Sequence, residues 1–248
     1  TMAVFTVIGR AHLEFLQDRD GVLRAKGEMI FKMPEDGVVF LNGDDDKLRS
    51  LTCRQKVVSF GLSEDCDVKA ENIRYSDCYE ASCEIVAGTR RLSVRIPSYG
   101  RHMIYAALAA AAVGLETGLS DEEIIAGIAA YAPVGRRANV IETPCLTLID
   151  DCYNANPDST ASAIESAASL PGRLVCILGD MLELGEGAEE LHRQTGELAR
   201  ESGALLITTG KLSENMGGLH FADKRSLIAA LPDILQRGDK VLVKASHS

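Results

Sequence analysis

Between residues 146 and 244 short apolar runs alternate with segments of helical character, and no other feature restricts the fold of this chain as much. The runs fall at 146–149, 174–178, 204–208 and 240–244. Helices are expected to begin at Asn156 and to cover 186–202 and 223–235, where Pro232 must bend or end the last one. Asn156 suits an N-cap and Pro157 the first helical position. Strands separated by helices imply right-handed crossovers and a mostly parallel, doubly wound sheet.

The first half has another texture. Residues 51–97 read as short β segments, and 91–96 alternates polar with apolar residues as a half-buried antiparallel strand does. Further strands are expected at 56–60, 67–75 and 80–86. Residues 102–117 are rich in Ala and Leu and read as a helix closed by Gly118. Ser120 and Glu123 suit a capping box, with Leu119 and Ile124 at the positions of a hydrophobic staple. Residues 133–139 read as a linker, so two α/β domains are expected, 1–134 and 135–248. Residues 2–8 read as a buried strand with nothing before it, and the chain stops just past another strand. A fragment of a longer protein is expected on that ground.

Composition narrows the function. Hydrophobic residues at 46% and charged residues at 25% exclude a disordered chain. The longest apolar stretch, 103–113, is shorter than the roughly 20 residues a membrane span needs. The net charge of −10 repels bulk nucleic acid, although backbone amides and Mg²⁺ can still hold one nucleotide. Seven scattered cysteines without a C-x-x-C pair, and no secretory signal, point to free thiols in the cytoplasm.

The strongest chemical signal is Asp150-Asp-Cys-Tyr-Asn-Ala-Asn-Pro157. An apolar strand ends in two carboxylates, an Asn-rich loop follows and a capped helix begins. Ligands of open α/β sheets bind outside the carboxyl ends of the strands. A carboxylate there holds ribose hydroxyls or Mg²⁺, and loop amides hold phosphate; the plainer reading is a solvated turn. Leu178-Gly-Asp-Met-Leu-Glu-Leu-Gly185 is a second strand-end loop. His12 follows the first strand and is expected to face a crevice, and Lys26 lies on an apparent helix. No G-x-x-x-x-G-K-[ST] phosphate loop, G-x-S-x-G or H-E-x-x-H string occurs.

Together with Ile8-Gly-Arg-Ala-His-Leu-Glu14, Ala25-Lys-Gly-Glu28 and Gly238-Asp-Lys-Val-Leu-Val-Lys244, these segments resemble the Mur ligase family from the first residues to the last. The likeness is greatest to the branch that adds D-Ala-D-Ala to UDP-N-acetylmuramoyl-tripeptide. It implies the latter part of a central ATPase-type domain followed by a Rossmann-like C-terminal domain. The N-terminal domain and the ATP phosphate loop would be missing, and such a fragment would be inactive alone. The implied reaction is amide formation through an acyl phosphate, with ATP and Mg²⁺, in peptidoglycan precursor synthesis, by a monomer.

Residue by residue, the resemblance makes His12 a Mg²⁺ ligand and Lys26 a lysine carbamylated by CO₂, likewise at the metal. Arg137, or its neighbour Arg136, is expected to reach the ATP phosphates. Asp151 is expected on the ribose, with Tyr153, Asn154 and Asn156 in the same nucleotide loop. Lys244 and Ser246 are expected at D-Ala-D-Ala. The family's Asn-x-x-Asn on the Ala-rich helix reads Met103 and Ala106 here, which passes adenine recognition to His102 or backbone groups. Its Gly-Ser-Arg after the last strand reads Ala245-Ser246-His247. Two other readings are a stand-alone nucleotide- or Mg²⁺-binding module without catalysis and a folylpolyglutamate synthase-like relative. The Asn-rich loop and the 178–185 string argue against the latter.

Overall fold

Strands buried on both faces read as unbroken apolar runs, and half-buried ones alternate. Both kinds occur in the computed structural model, which describes every residue except Asp77, Cys78, Tyr99, Val134, His247 and Ser248. Two units divide the chain, Thr1–Gly9 with Leu16–Ala132 and Arg10–Phe15 with Pro133–Ser248.

The first unit holds a six-stranded sheet in the order β1 (Met2–Phe5), β2 (Val38–Asn42), β3 (Lys56–Gly61), β4 (Val68–Ser76), β5 (Glu80–Ala87), β6 (Arg90–Ile96). β1 to β4 run parallel, and β4 to β6 form an antiparallel meander. A short turn, α1 (Leu13–Leu16), and the helix α2 (Arg19–Phe31) follow β1, and a one-turn helix, α3 (Asp46–Arg49), follows β2. β2 has no counterpart among the expected strands, although its five residues are all buried between Gly37 and Gly43. The expected buried strand at 2–8 is shorter and lies at the sheet edge. Only Ala3 and Phe5 of β1 face the core, and Met2 and Val4 are exposed.

α4 (Arg101–Glu116) and α5 (Asp121–Ala129) match the expected helix pair, and Ser120 and Glu123 close the capping box. Ile104, Leu108 and Ala111 of α4 pack in the same core as Phe40, Phe60, Ile85 and Leu92 of the sheet.

The second unit carries the alternating pattern. Its strands are β7 (Asn139–Glu142), β8 (Thr147–Asp150), β9 (Leu174–Leu178), β10 (Leu205–Thr209), β11 (Leu219–Phe221) and β12 (Lys240–Lys244). The sheet order is β11-β10-β9-β12-β8-β7, parallel throughout except for β7. The helices are α6 (Pro157–Ala168), α7 (Ala188–Glu201) and α8 (Lys224–Ile234). Pro232 falls in the last turn of α8, which ends two residues later. β7 and β11 were not expected. Both are edge strands of three or four residues, too short to show a period.

Buried polar contacts brace this sheet. Lys240 is 3% exposed, and its ammonium donates to the carbonyls of Ala167 at 3.0 Å and of Leu170, which satisfies orphan acceptors at the end of α6. Asp239 takes the Arg173 guanidinium at 2.6 and 2.8 Å. His192 of α7 is fully buried; Nδ1 donates to the Ala188 carbonyl at 2.6 Å, and Nε2 accepts the Met181 amide at 3.0 Å. That acceptor role requires a neutral ring, and it anchors the loop after β9.

Among the described residues no helix is long and apolar enough to cross a membrane. The six described cysteines are free thiols, and Cys78 lies outside the described residues.

Two expectations follow. A Cβ on Gly196 would lie 1.9 Å from the Met216 carbonyl oxygen, so Gly196→Ala should lower stability by about 1–3 kcal/mol in urea titrations. Burial lowers the proton affinity of His192 below the ordinary value of 6.5, against the Ala188 hydrogen bond and the Asp180 charge. The unfolded chain then binds a proton that the folded one excludes, so stability should be lost as pH falls below 6.5. The slope of stability against pH from 6.5 to 5 should flatten in His192→Gln.

Candidate functional site

β8, β9, β10 and β12 point the same way, so the residues after each gather at one edge of the second unit's sheet. Asp151 follows the last residue of β8, and its two carboxylate oxygens accept from two other parts of the unit. Oδ1 takes the Ala138 amide at 3.0 Å, and Oδ2 takes the Lys244 ammonium at 2.6 Å. Lys244 ends β12 and is 3% exposed. It also reaches the Asn154 carbonyl at 2.9 Å and the Asp151 carbonyl at 3.5 Å. Its three N–H donors are thus directed into the loop. Removing one partner of such a buried pair costs about 3–5 kcal/mol. The expected contact of Lys244 with a dipeptide would involve a side chain that is almost fully buried and engaged with this loop.

The segment 136–138 lies along the same loop. The Arg136 Nε donates to Asp150 Oδ2 at 2.8 Å, and the Tyr153 amide donates to the Arg136 carbonyl at 3.1 Å. Burial opposes ionisation of Asp150, yet hydrogen bonds from Arg136 and Cys152 hold its carboxyl below the usual range. The Cys152 thiol is pushed up to about 11 by burial and by the adjacent Asp150, so it is a weak nucleophile. Arg137 differs from these cations. Its guanidinium lies 3.7 Å from the centroid of the Tyr153 ring, a cation–π contact, and no carboxylate among the described residues pairs with it. The Tyr153 side chain is exposed.

The two asparagines of the loop serve the backbone. Asn156 is the N-cap of α6 and forms a reciprocal pair with Ser159. Asn154 Oδ1 accepts the Ala155 amide at 2.8 Å. Ser246 ties three loops together. Its amide donates to the Asp180 carbonyl and its hydroxyl to the Ala155 carbonyl, both at 2.9 Å, and that hydroxyl accepts the Leu182 amide at 3.1 Å. His247 lies outside the described residues. Asp180 accepts the amides of Lys211, Leu212 and Ser213 at 2.7–3.1 Å. A Cβ on Gly210, whose φ is +128°, would sit 2.3 Å from the Asp180 carboxylate, so only glycine fits.

Residues 10–15 group with this second unit and not with the strand they follow. Arg10 grips Asp158, in the first turn of α6, through Nε at 2.8 Å and Nη2 at 2.6 Å. His12 Nδ1 contacts the Glu183 carboxylate, and the Glu14 amide donates to the Glu183 carbonyl at 3.1 Å. His12 and Glu183 both adopt left-handed backbone, at φ 58° and 60°. Arg10, Asp158 and Glu183 are absent from the expected set. Asp158 follows the Asn-Pro cap and reads locally as a dipole-complementing acid. Its pairing with Arg10 spans 148 residues, beyond any local pattern.

Two expected residues belong to the first unit. Lys26 sits on α2 and donates to the Val7 carbonyl at 2.9 Å. Burial around its amine lowers its proton affinity, and the Asp45 charge opposes that shift. His102 lies in the first turn of α4, beside the buried Met103, and Ala106 is exposed one turn on. Among the described residues no three His, Cys, Asp or Glu side chains converge as a metal site.

Comparison with known proteins joins these observations to a family. The profile of the Mur ligase middle domain matches residues 1–114, and that of the Mur ligase glutamate ligase domain matches residues 136–247. UDP-N-acetylmuramoyl-tripeptide–D-alanyl-D-alanine ligase of Escherichia coli is 34% identical over 99% of this chain and 57% of its own length. The same ligase of Bacillus subtilis is 32% identical over 99% of this chain and 56% of its own length. Among solved structures, MurF from Acinetobacter baumannii superposes with a TM-score of 0.89 at 27% identity, covering 99% of this chain and 56% of that one. MurF ligase from Thermotoga maritima in complex with ADP gives 0.88 at 27%, covering 99% and 58%. This chain thus spans a little over half the length of the relatives it matches. It belongs to the Mur ligase family and carries that family's middle-domain and glutamate ligase-domain sequences.

Proposed function

We propose that this chain is the nucleotide- and acceptor-handling part of an ATP-dependent ligase that joins D-Ala-D-Ala to UDP-N-acetylmuramoyl-tripeptide. The observation that carries this reading is Arg137 on Tyr153 beside the Asp151 loop. A guanidinium held on an aromatic face keeps its charge for phosphate, whereas Arg10, Arg136 and Lys244 already face carboxylates. The relatives named as this ligase, and the ADP-bound neighbour, support it.

In this reading Arg137 meets the ATP phosphates. Asp151 accepts ribose hydroxyls on the lone pairs that Ala138 and Lys244 leave open. Tyr153 offers a ring beside the nucleotide, and Asn154 and Asn156 shape the loop that carries it. His102 takes part in holding the base, and Ser246 lies toward D-Ala-D-Ala. The tripeptide carboxylate attacks the γ-phosphorus and ADP leaves. The dipeptide amine then attacks the acyl carbon, and phosphate departs from the tetrahedral intermediate. Mg²⁺, held through His12 and a carbamate on Lys26, would neutralise phosphate charge when bound. The lowered proton affinity of Lys26 supports the carbamate, because CO₂ adds only to a neutral amine. The domain division at 1–134 and 135–248, a monomeric state and action in the cytoplasm belong to the same proposal.

This chain lacks a phosphate loop, so it should bind ATP weakly and make no amide by itself. Calorimetric titration of ATP with Mg²⁺ into this chain checks the first point, and micromolar affinity would contradict it. The full-length gene product should convert UDP-N-acetylmuramoyl-tripeptide, ATP and D-Ala-D-Ala to the pentapeptide, ADP and phosphate. In that protein Lys26→Ala should lose most turnover, and added formate or acetate should restore part of it. Undiminished turnover would remove Lys26 from the scheme.

A further inference from the structure

The end of β12 places an almost fully buried lysine whose partners belong to the loop assigned to the nucleotide. We propose that Lys244 is a positioning residue for nucleotide binding, acting through the Asp151 carboxylate and the Asn154 carbonyl and not by touching the dipeptide. This assignment rests on the nucleotide reading of the 150–156 loop.

Three observations carry it. First, Lys244 is 3% exposed, and its donors reach Asp151 Oδ2 at 2.6 Å and the Asn154 carbonyl at 2.9 Å. One ammonium therefore spans the loop across the residue proposed to face the base or ribose, Tyr153. Second, the other oxygen of the same carboxylate holds the Ala138 amide, the residue after Arg137. Lys244 thereby aims two groups at once: the acid that would meet ribose, and through Ala138 the backbone that presents the guanidinium. Third, β12 lies between β8 and β9 in the sheet. The Asp151 amide donates to the Val243 carbonyl at 3.0 Å and the Gly179 amide to the Lys244 carbonyl at 2.9 Å. The lysine is thus fixed between both strand-end loops by its own carbonyl and that of Val243, a rigid base for orienting its neighbour.

The pairing has a chemical consequence. An ammonium on Oδ2 fixes the rotation of the carboxylate, so the lone pairs left for ribose point in one direction. An uncharged residue of similar length cannot do this. The loop would then sample other arrangements, and affinity for the nucleotide would drop without any lost contact to the dipeptide.

The test is a split of kinetic constants in the full-length ligase. Lys244→Met should raise the KM for ATP on the order of 10–100-fold, with the KM for D-Ala-D-Ala left within about twofold. Asp151→Asn should raise the KM for ATP as well, and the double variant should be no worse than the worse single one, because both break one unit. A rise in the KM for D-Ala-D-Ala with that for ATP unchanged would overturn the proposal, as would additive effects. If Lys244→Met does not fold, Lys244→Gln, which keeps two donors without the charge, is read in the same assays. Hydrogen exchange on this chain gives a second readout that needs no turnover. Amides of residues 152–156 should exchange faster in the variant while those of α7 do not change, and equal exchange would overturn the proposal. A wild-type enzyme without ATP-dependent ligation would reject the ligase reading, and exchange would still decide the role of Lys244.

Discussion

One buried ammonium organises the loops at the strand ends of the second unit. Lys244 would be costly to bury alone, since the penalty for taking a charge out of water is several kcal/mol even after relaxation. It is stable there because Asp151 and two loop carbonyls surround it. Those partners are the loop itself, so charge compensation and loop geometry cannot be separated. The same carboxylate holds Ala138, the neighbouring Asp150 holds Arg136, and Tyr153 carries Arg137. Segments far apart in sequence are thereby tied into one surface through two adjacent acids.

The chain is strongly acidic, with a net charge of −10, yet its reading is that of a phosphate handler. The local arrangement resolves the conflict. Arg10, Arg136 and Lys244 each face an acid, which limits their field to short range. An unneutralised guanidinium stacked on a ring is a directed donor for one phosphate group, not a general attractant for polyanions. Backbone amides contribute to the rigidity of the site. Asp180 gathers three of them from the 211–213 loop, and His192 a fourth from Met181.

Much of the fold was legible from local pattern. The strands at 174–178 and 240–244 have the expected bounds, and the Ser120 and Asn156 caps form as their sequences require. These features depend on residues within one turn or one strand of each other. β2 is also legible locally, since Val38 to Leu41 is an apolar run between glycines. β1 misled because its apolar residues do not reveal that it lies at a sheet edge with one face exposed. At the site, the 150–156 loop was visible as acids at the end of an apolar strand. The Oδ1 atoms of Asn154 and Asn156 accept backbone amides, which the composition of the loop alone does not reveal. An amide side chain two or three bonds from unsatisfied backbone N–H groups binds those first.

The amino-acid sequence by itself determined the class of the second unit, the place of its strand-end loops and the family to which the chain belongs. Periodicity, caps and motif strings are local, and local chemistry decides them. Only the tertiary structure decided which side chains are displayed and which are consumed: Lys244 against Asp151, Arg10 against Asp158, His12 against Glu183. Each of these pairs joins residues 93 to 171 positions apart. Whether a charge is a ligand group or an internal brace depends on what the fold brings within about 3 Å of it, and no spacing along the chain contains that distance.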